Sequence, residues 1–278
     1  MSQPAAGATR RQPHNLKRIL FVAGAILAGS GAATAVELKP ETIEAFDQYI
    51  TSVEMRLAPR FRGERFLWFD DSPAVAQKLQ RGAVVAQPVA GDGVVPVKNG
   101  LIEDWIGAVF VPNTNLRRTL SAVQDYDHHR EAYKPDIVDT KLESREGDNF
   151  LVYLRIIKSK FLITGVFNTE HEIRFTNIDS TRAYSTSFSK RIAEVSNAGR
   201  PTEHELKVGQ DRGLMWRLDG FWFFEERDGG VYIACESITL TRDVPALLMK
   251  LLGPVIHEVP GEALRSSLDQ TRNAILAR

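Results

Sequence analysis

The stretch GFWFFEERDGGVYIACE, Gly220 to Glu236, decides the fold. Four consecutive aromatics, Phe221 to Phe224, alternate sides if they lie on a strand, because successive side chains point to opposite faces. A sheet packed on one face alternates apolar with polar residues, and this run does not, so both faces want cover. The Asp228-Gly229 pair is a two-residue hairpin signal. It would set Phe224 opposite Ile233 and Trp222 opposite Cys235. One face then carries Trp216, Leu218, Trp222, Phe224, Ile233, Cys235, Ser237 and Thr239. The other carries Arg217, Asp219, Phe221, Phe223, Glu225, Tyr232 and Glu236. The first face is drier and is assigned inward. The second is mixed, and Phe221, Phe223 and Tyr232 still need a covering element.

The same alternation extends upstream. A two-residue turn at Lys158-Ser159 gathers Val152, Leu154, Ile156, Phe161, Ile163, Phe167, Thr169, His171 and Ile173 on one side, apolar except for Thr169 and His171. After Pro135 strand follows strand: 137–144, 150–157, 161–175, 182–195, 214–225 and 231–241, separated by Gly-, Asp- and Asn-rich turns. Before them, LIEDWIGAVFVP (101–112) reads as a buried strand, and NTNLRRTLSAVQDYDHHREAY (113–133) as a helix with an Asn or Thr cap. Val259, Leu264, Leu268 and Ile275 mark a long terminal helix.

Upstream of Gly100, Ile43, Phe46, Ile50, Val53 and Leu57 fall at helical spacing behind Pro40, an amphipathic stripe that must face something. A short aromatic strand (66–69), a helical turn after Ser72-Pro73 and a Val-rich strand near 83–89 complete this extension. We expect it to lie over the outer face left open by Phe221, Phe223 and Tyr232. Arg56, Arg60, Arg62 and Arg65 interleave with Phe61 and Phe66, but nothing extends the basic run, so a solvated loop is the reading.

The chain has 278 residues, 43% hydrophobic and 25% charged, and Lys+Arg and Asp+Glu both number 35. No global field selects a polyanion, so nucleic acid gains no support. Arg10, Arg11, Lys17 and Arg18 precede ILFVAGAILAGSGA, and ATA follows at Ala33–Ala35. A basic start, a short apolar run and a small-x-small site describe a secretory signal peptide. The run is short and Gly/Ala-rich against the roughly 20 apolar residues of a good span; an uncleaved N-terminal anchor is the alternative. Removal of residues 1–35 takes away four cations and no acid, leaving 243 residues with a net charge of −4. Cys235 is the only cysteine, so no intrachain disulfide forms, and a small buried apolar role is its default. The expected division is therefore 1–35 signal peptide, 36–99 extension and 100–278 main domain, exported to a periplasmic or extracellular location.

Strand, helix, an antiparallel meander and a long C-terminal helix make an α+β arrangement. From about Gly100 to Ala277 the chain resembles the START-like, or polyketide cyclase and lipid-transport, superfamily, whose helix-grip members include the Bet v 1-like proteins. GLIEDWIGAVFVP, LSAVQDYDHHREAYKPDIVDTKL and GGVYIACESITLTRDVP carry the resemblance. It implies a curved sheet around the terminal helix, with an apolar cavity that takes a lipid, polyketide or other hydrophobic small molecule; only some members catalyse. On that basis Leu154, Phe167, His171, Trp216, Leu218, Trp222, Phe224, Ile233, Cys235, Leu264 and Leu268 are the expected cavity lining.

Chemistry is sparse. His171 would orient a ligand carbonyl or act as a base near neutral pH; a core histidine bonded to a backbone carbonyl is the bland account. Asp125, Asp127, His128, His129 and Glu131 cluster without zinc-like spacing, and are read as a polar helix end. His-Glu occurs three times, never as H-E-x-x-H, and no P-loop, dinucleotide fingerprint or serine elbow is present. Ser187–Lys190 fits S-x-x-K only formally, since it lies in a strand. Arg155 and Glu236 are placed outward as surface charges. Pro245–Ile256, PALLMKLLGPVI, packs on the sheet end or forms a lid or membrane-facing entrance. No cofactor, metal or catalytic residue is expected. Binding of a hydrophobic molecule leads; a cyclase or dehydratase enzyme and an envelope structural protein with a filled core are the alternatives.

Overall fold

A computed structural model describes residues 36–63, 65–160, 163–243 and 246–278, the side chains of 36, 159, 160, 163 and 246–258 excepted. The expected signal segment, 1–35, lies outside them. The order is β1 (Val36–Glu37), α1 (Pro40–Phe61), α2 (Pro73–Gln80), β2 (Val85–Pro88), β3 (Val94–Val97), β4 (Gly100–Pro112) and α3 (Leu116–Val123). A 3-10 turn (Tyr126–His128) and α4 (His129–Ala132) follow. Then come β5 (Ile137–Glu146), β6 (Asn149–Lys160), β7 (Ile163–Asn177), β8 (Arg182–Ser196), β9 (His204–Glu205), β10 (Gln210–Asp211), β11 (Arg217–Arg227), β12 (Gly230–Arg242) and α5 (Ala246–Leu276). The main sheet runs β2-β4-β12-β11-β8-β7-β6-β5, with β3 also on β4, and its pairs are antiparallel. An open antiparallel meander with the C-terminal helix on one face is the helix-grip α+β architecture.

The aromatic hairpin forms as its turn chemistry demands. Asp228 (φ 56°) and Gly229 (φ 76°) occupy the left-handed positions that an inward-twisting two-residue turn requires. Phe224 pairs with Ile233 and Trp222 with Cys235. The β6–β7 hairpin keeps the expected faces but not the expected turn. Lys160 pairs with Ile163, so the strands run past Lys158-Ser159; Phe161, expected on the inner side, lies outside the described residues. The displacement preserves parity but shifts the pairing by six residues, so Val152 opposes His171 rather than Gly165, and Leu154 opposes Thr169 rather than Ile163.

Each face of the sheet has its own core. On the inner face, Val109, Val111, Phe224, Val231, Ile233 and Cys235 pack with Leu264 and Leu268 of α5. Two glycines let helix and sheet approach. A Cβ on Gly107 would stand 2.8 Å from Leu268 Cδ1, and one on Gly261 would stand 2.3 Å from the Trp105 ring. On the outer face, Phe46, Ile50, Val53 and Leu57 of α1 pack with Phe221, Phe223, Tyr232, Ile238 and Leu240. Helix α1 begins with Pro40 in its first turn, where the missing N–H costs nothing, and spaces its buried residues at three and four. Phe66, Leu67 and Phe69 join this layer from turns rather than from the expected strand, because Asp70 accepts the Leu67 N–H at 2.7 Å. The extension is not a unit of its own, since residues 35–278 cluster as one.

The expected helix over 113–133 divides. Asn115 caps α3 by accepting the Arg118 N–H at 2.9 Å. After Val123 the chain departs from helix at Asp125, and buried Tyr126 packs edge-on against Phe150. His129 is buried, its Nε2 3.1 Å from Val123 O, whereas exposed His128 meets Asp125 at 2.8 Å. The adjacent histidines thus point apart, and no metal-holding cluster occurs among the described residues.

Candidate functional site

The inner face of β6, β7, β8 and β11 is the candidate binding surface. Leu154, Ile173 and Trp222 are half-buried there and pack against the inner core. Leu218 is half-buried as well, set on the same face by pairing with Thr239. Phe167, Phe224, Ile233 and Cys235 are buried, as are Leu264 and Leu268 on the helix side. Burial pushes the Cys235 thiol pKa up, which keeps it protonated and inert.

Trp216 is a correction. Parity carried back from Trp222 assigns it inward, but β11 begins only at Arg217, so the alternation does not reach it. Its ring belongs to the outer core, and its Nε1 donates to Asp211 Oδ1 at 3.0 Å.

His171 sits on the inner face at 3% exposure. Its Nε2 lies 3.0 Å from Thr169 Oγ1, two residues away on the same side of β7. Thr169 Oγ1 donates its only proton to Leu154 O at 3.0 Å. The hydroxyl must then accept from the imidazole, so the ring proton resides on Nε2. Nδ1 is left a bare acceptor, buried and without a partner among the described residues. Desolvation lowers the His171 pKa to about 4, so the ring is neutral at pH 7. A carbonyl-orienting role would need a free N–H, and the free nitrogen has none. The bland account, a bond to a backbone carbonyl, does not hold either.

The surroundings of His171 are irregular in a way that sequence does not signal. The β7–β8 register shifts between Glu170 and His171, a bulge on β8 that leaves Ser189 opposite His171. The β8–β11 ladder ends at Ser187 and Gly220. Beyond it, Asp219 Oδ1 accepts from Ser189 N at 2.9 Å and from Ser189 Oγ at 3.0 Å, and Ser189 Oγ accepts the Leu218 N–H at 3.1 Å. Side chains thus staple the sheet where backbone pairing stops. Burial raises the Asp219 pKa to about 6.

Glu103 is the residue that sequence reasoning missed. Alternation along β4 places it on the side of Trp105, Gly107 and Val109, facing α5. It is 8% exposed, and burial alone raises its pKa to about 7. Register links it to His171 in steps: Glu103 opposes Thr239, Thr239 opposes Leu218, the Leu218 N–H bond to Ser189 Oγ bridges the end of the ladder, and Ser189 opposes His171. The two are four strands apart, about 19 Å along the sheet at the usual spacing. The signal was present, because the parity that turns Trp105 inward turns Glu103 inward too.

The charges expected to be solvated on the outer side divide. Arg155 pairs with Glu203 at 2.9 Å near the surface. Glu236 is wholly buried and held by both terminal nitrogens of Arg56 from α1. Beside it Asp104 accepts from Tyr49 OH at 2.7 Å, and burial raises the Asp104 pKa to about 7.

No family model and no curated protein matches the chain. Solved structures similar to it include human STARD10, at 11% identity over 68% of this chain and 75% of that one, TM-score 0.43. The Zhui aromatase/cyclase from Streptomyces sp. R1128 aligns at 8% identity over 64% of this chain and 95% of that one, TM-score 0.42. The STAR-related lipid transfer protein from Xanthomonas axonopodis aligns at 16% identity over 63% and 98%, TM-score 0.38. Such likeness concerns the fold alone.

Proposed function

We propose that this chain binds a lipid or other hydrophobic small molecule against the inner face of its sheet, under the C-terminal helix. The carrying observation is the contrast between the two faces. The outer face of β11 and β12 is closed by α1 and by Phe66, Leu67 and Phe69. The inner face keeps Leu154, Ile173, Leu218 and Trp222 half-buried, with His171 among them, its Nδ1 unpartnered among the described residues, and with buried Glu103 four strands away. Apolar walls contribute affinity by burial, and a few polar groups fix orientation.

The enzyme reading is weaker. A base working at neutral pH wants a pKa near 7, and His171 is held at about 4. Its nearest carboxyl on the inner row is four strands away.

Export is part of the proposal, supported by the basic, apolar and small-residue pattern of residues 1–35. A membrane-facing role for Pro245–Ile256 rests on composition, since those side chains lie outside the described residues. Among the described residues no helix is long and apolar enough to cross a membrane.

Native mass spectrometry with organic extraction, on protein purified from its own source, tests the binding reading. A retained hydrophobic molecule is the expected result. An empty protein that also binds no Nile red would overturn it in favour of a filled core.

A further inference from the structure

Resting on that reading, we infer that the ligand carries a hydroxyl group and is recognised as a hydrogen-bond donor by Nδ1 of His171. The chain of reasoning is one of donors and acceptors. Leu154 O takes the Thr169 proton and Thr169 Oγ1 takes the His171 Nε2 proton, so the relay ends on a lone pair. That lone pair is on a ring 3% exposed, and no group among the described residues reaches it. An unmet acceptor in such a place costs stability that a donor would restore. A ligand hydroxyl meets it; a ligand carbonyl or ether oxygen sets lone pair against lone pair. Val152 opposes His171 on β6 and Ile173 follows it on the same face of β7, and neither offers a donor; Ser189, opposite it on β8, spends its hydroxyl proton on Asp219. The β8 bulge opposite His171 is a local re-aiming of backbone of the kind found beside binding sites. The substrate class is therefore a hydrophobic alcohol or phenol, read by an acceptor, rather than a ketone, ester or hydrocarbon.

Displacement of Nile red from the full chain at pH 7 by 1-decanol and by decyl methyl ether tests this. The ether carries a methyl group in place of the hydroxyl proton, and the readout is the ratio of the two affinities compared between wild type and variants, in which the added methyl cancels. Loss of a neutral hydrogen bond inside a protein is worth about a tenfold change. Wild type is expected to favour the alcohol about tenfold more than His171→Leu does. His171→Asn, which keeps a carbonyl acceptor near the Nδ1 position, is expected to restore most of the preference, whereas a merely structural role for the ring would not be rescued in this ratio. An alcohol-to-ether ratio unchanged by His171→Leu, with Nile red still bound, overturns this inference and leaves hydrophobic binding standing. Failure of wild type to bind Nile red overturns both. Thermal melts identify a variant that does not fold, and His171→Asn then carries the comparison alone: loss of preference in a folded His171→Asn counts against the inference.

Discussion

His171 and Glu103 show how burial sets protonation residue by residue, in opposite directions. For Glu103 the acid is the form that burial favours, and the pKa rises from 4.5 to about 7. Below pH 4.5 both folded and unfolded chains hold that proton, and the group contributes nothing to the pH dependence. Between 4.5 and 7 the unfolded chain releases it while the folded one keeps it, so stability falls as pH rises. Glu103→Gln is therefore expected to raise the unfolding free energy read from urea titration at pH 8 by up to about 3 kcal/mol, and to leave it nearly unchanged at pH 4. Equal effects at the two pH values would mean that Glu103 is ionised in the fold. His171 has the reverse sign. Its folded pKa, about 4, lies below the free value of 6.5, so its contribution is lost as pH falls through that window.

Between elements, contacts are close in one place and charged in another. Helix α5 reaches β4 because Gly261 and Gly107 have no side chains; a Cβ at 261 would sit 2.3 Å from Trp105. Gly261→Ala is expected to cost about 1–3 kcal/mol by overpacking, despite the better helix propensity of alanine, and calorimetry on the two proteins would show a lower Tm. Helix α1 is tied to the sheet by Arg56 on buried Glu236. Removal of one partner strands the other charge. Arg56→Met should cost about 3 kcal/mol, the low end for a buried pair because the Arg56 side chain is 43% exposed. In the double variant with Glu236→Gln most of that loss should return, and a double-mutant cycle with no coupling would refute the tie.

For the whole molecule, the sheet is a middle layer, and neither covering layer is dispensable. A chain beginning at Gly100 would bare Phe221, Phe223, Tyr232, Ile238 and Leu240. It is expected to lose its cooperative thermal transition and to bind a hydrophobic dye; a sharp melt with no dye binding would show that the main sheet stands without α1. This layering was legible from four aromatics in a row, and the hairpin register from Asp228-Gly229, because strand parity and a positive-φ turn are local physics. The long meander and terminal helix were legible from order alone. What escaped lay where local rules stop. Trp216 lies one residue before its strand, so parity misplaced it. Phe66 to Phe69 look like a strand, yet Asp70 closes them into turns. Glu103 hid in a run read only as apolar. The His171 tautomer depends on a carbonyl from the neighbouring strand, a fact that no spacing within one segment contains.

The two ends of the strand order bear on how the molecule behaves in company. At one end β5 sets exposed Asp139, Lys141, Glu143 and Arg145 on alternate residues. At the other, β2 and β3 are four residues each and carry Pro88 and Pro96. An incoming strand would meet a row of mixed charge on one flank and missing amide donors on the other. A sheet this long, open and rich in aromatics is a template for fibrous growth, and here the template is blunted at both margins, so crowding has nowhere to begin a cross-chain ladder.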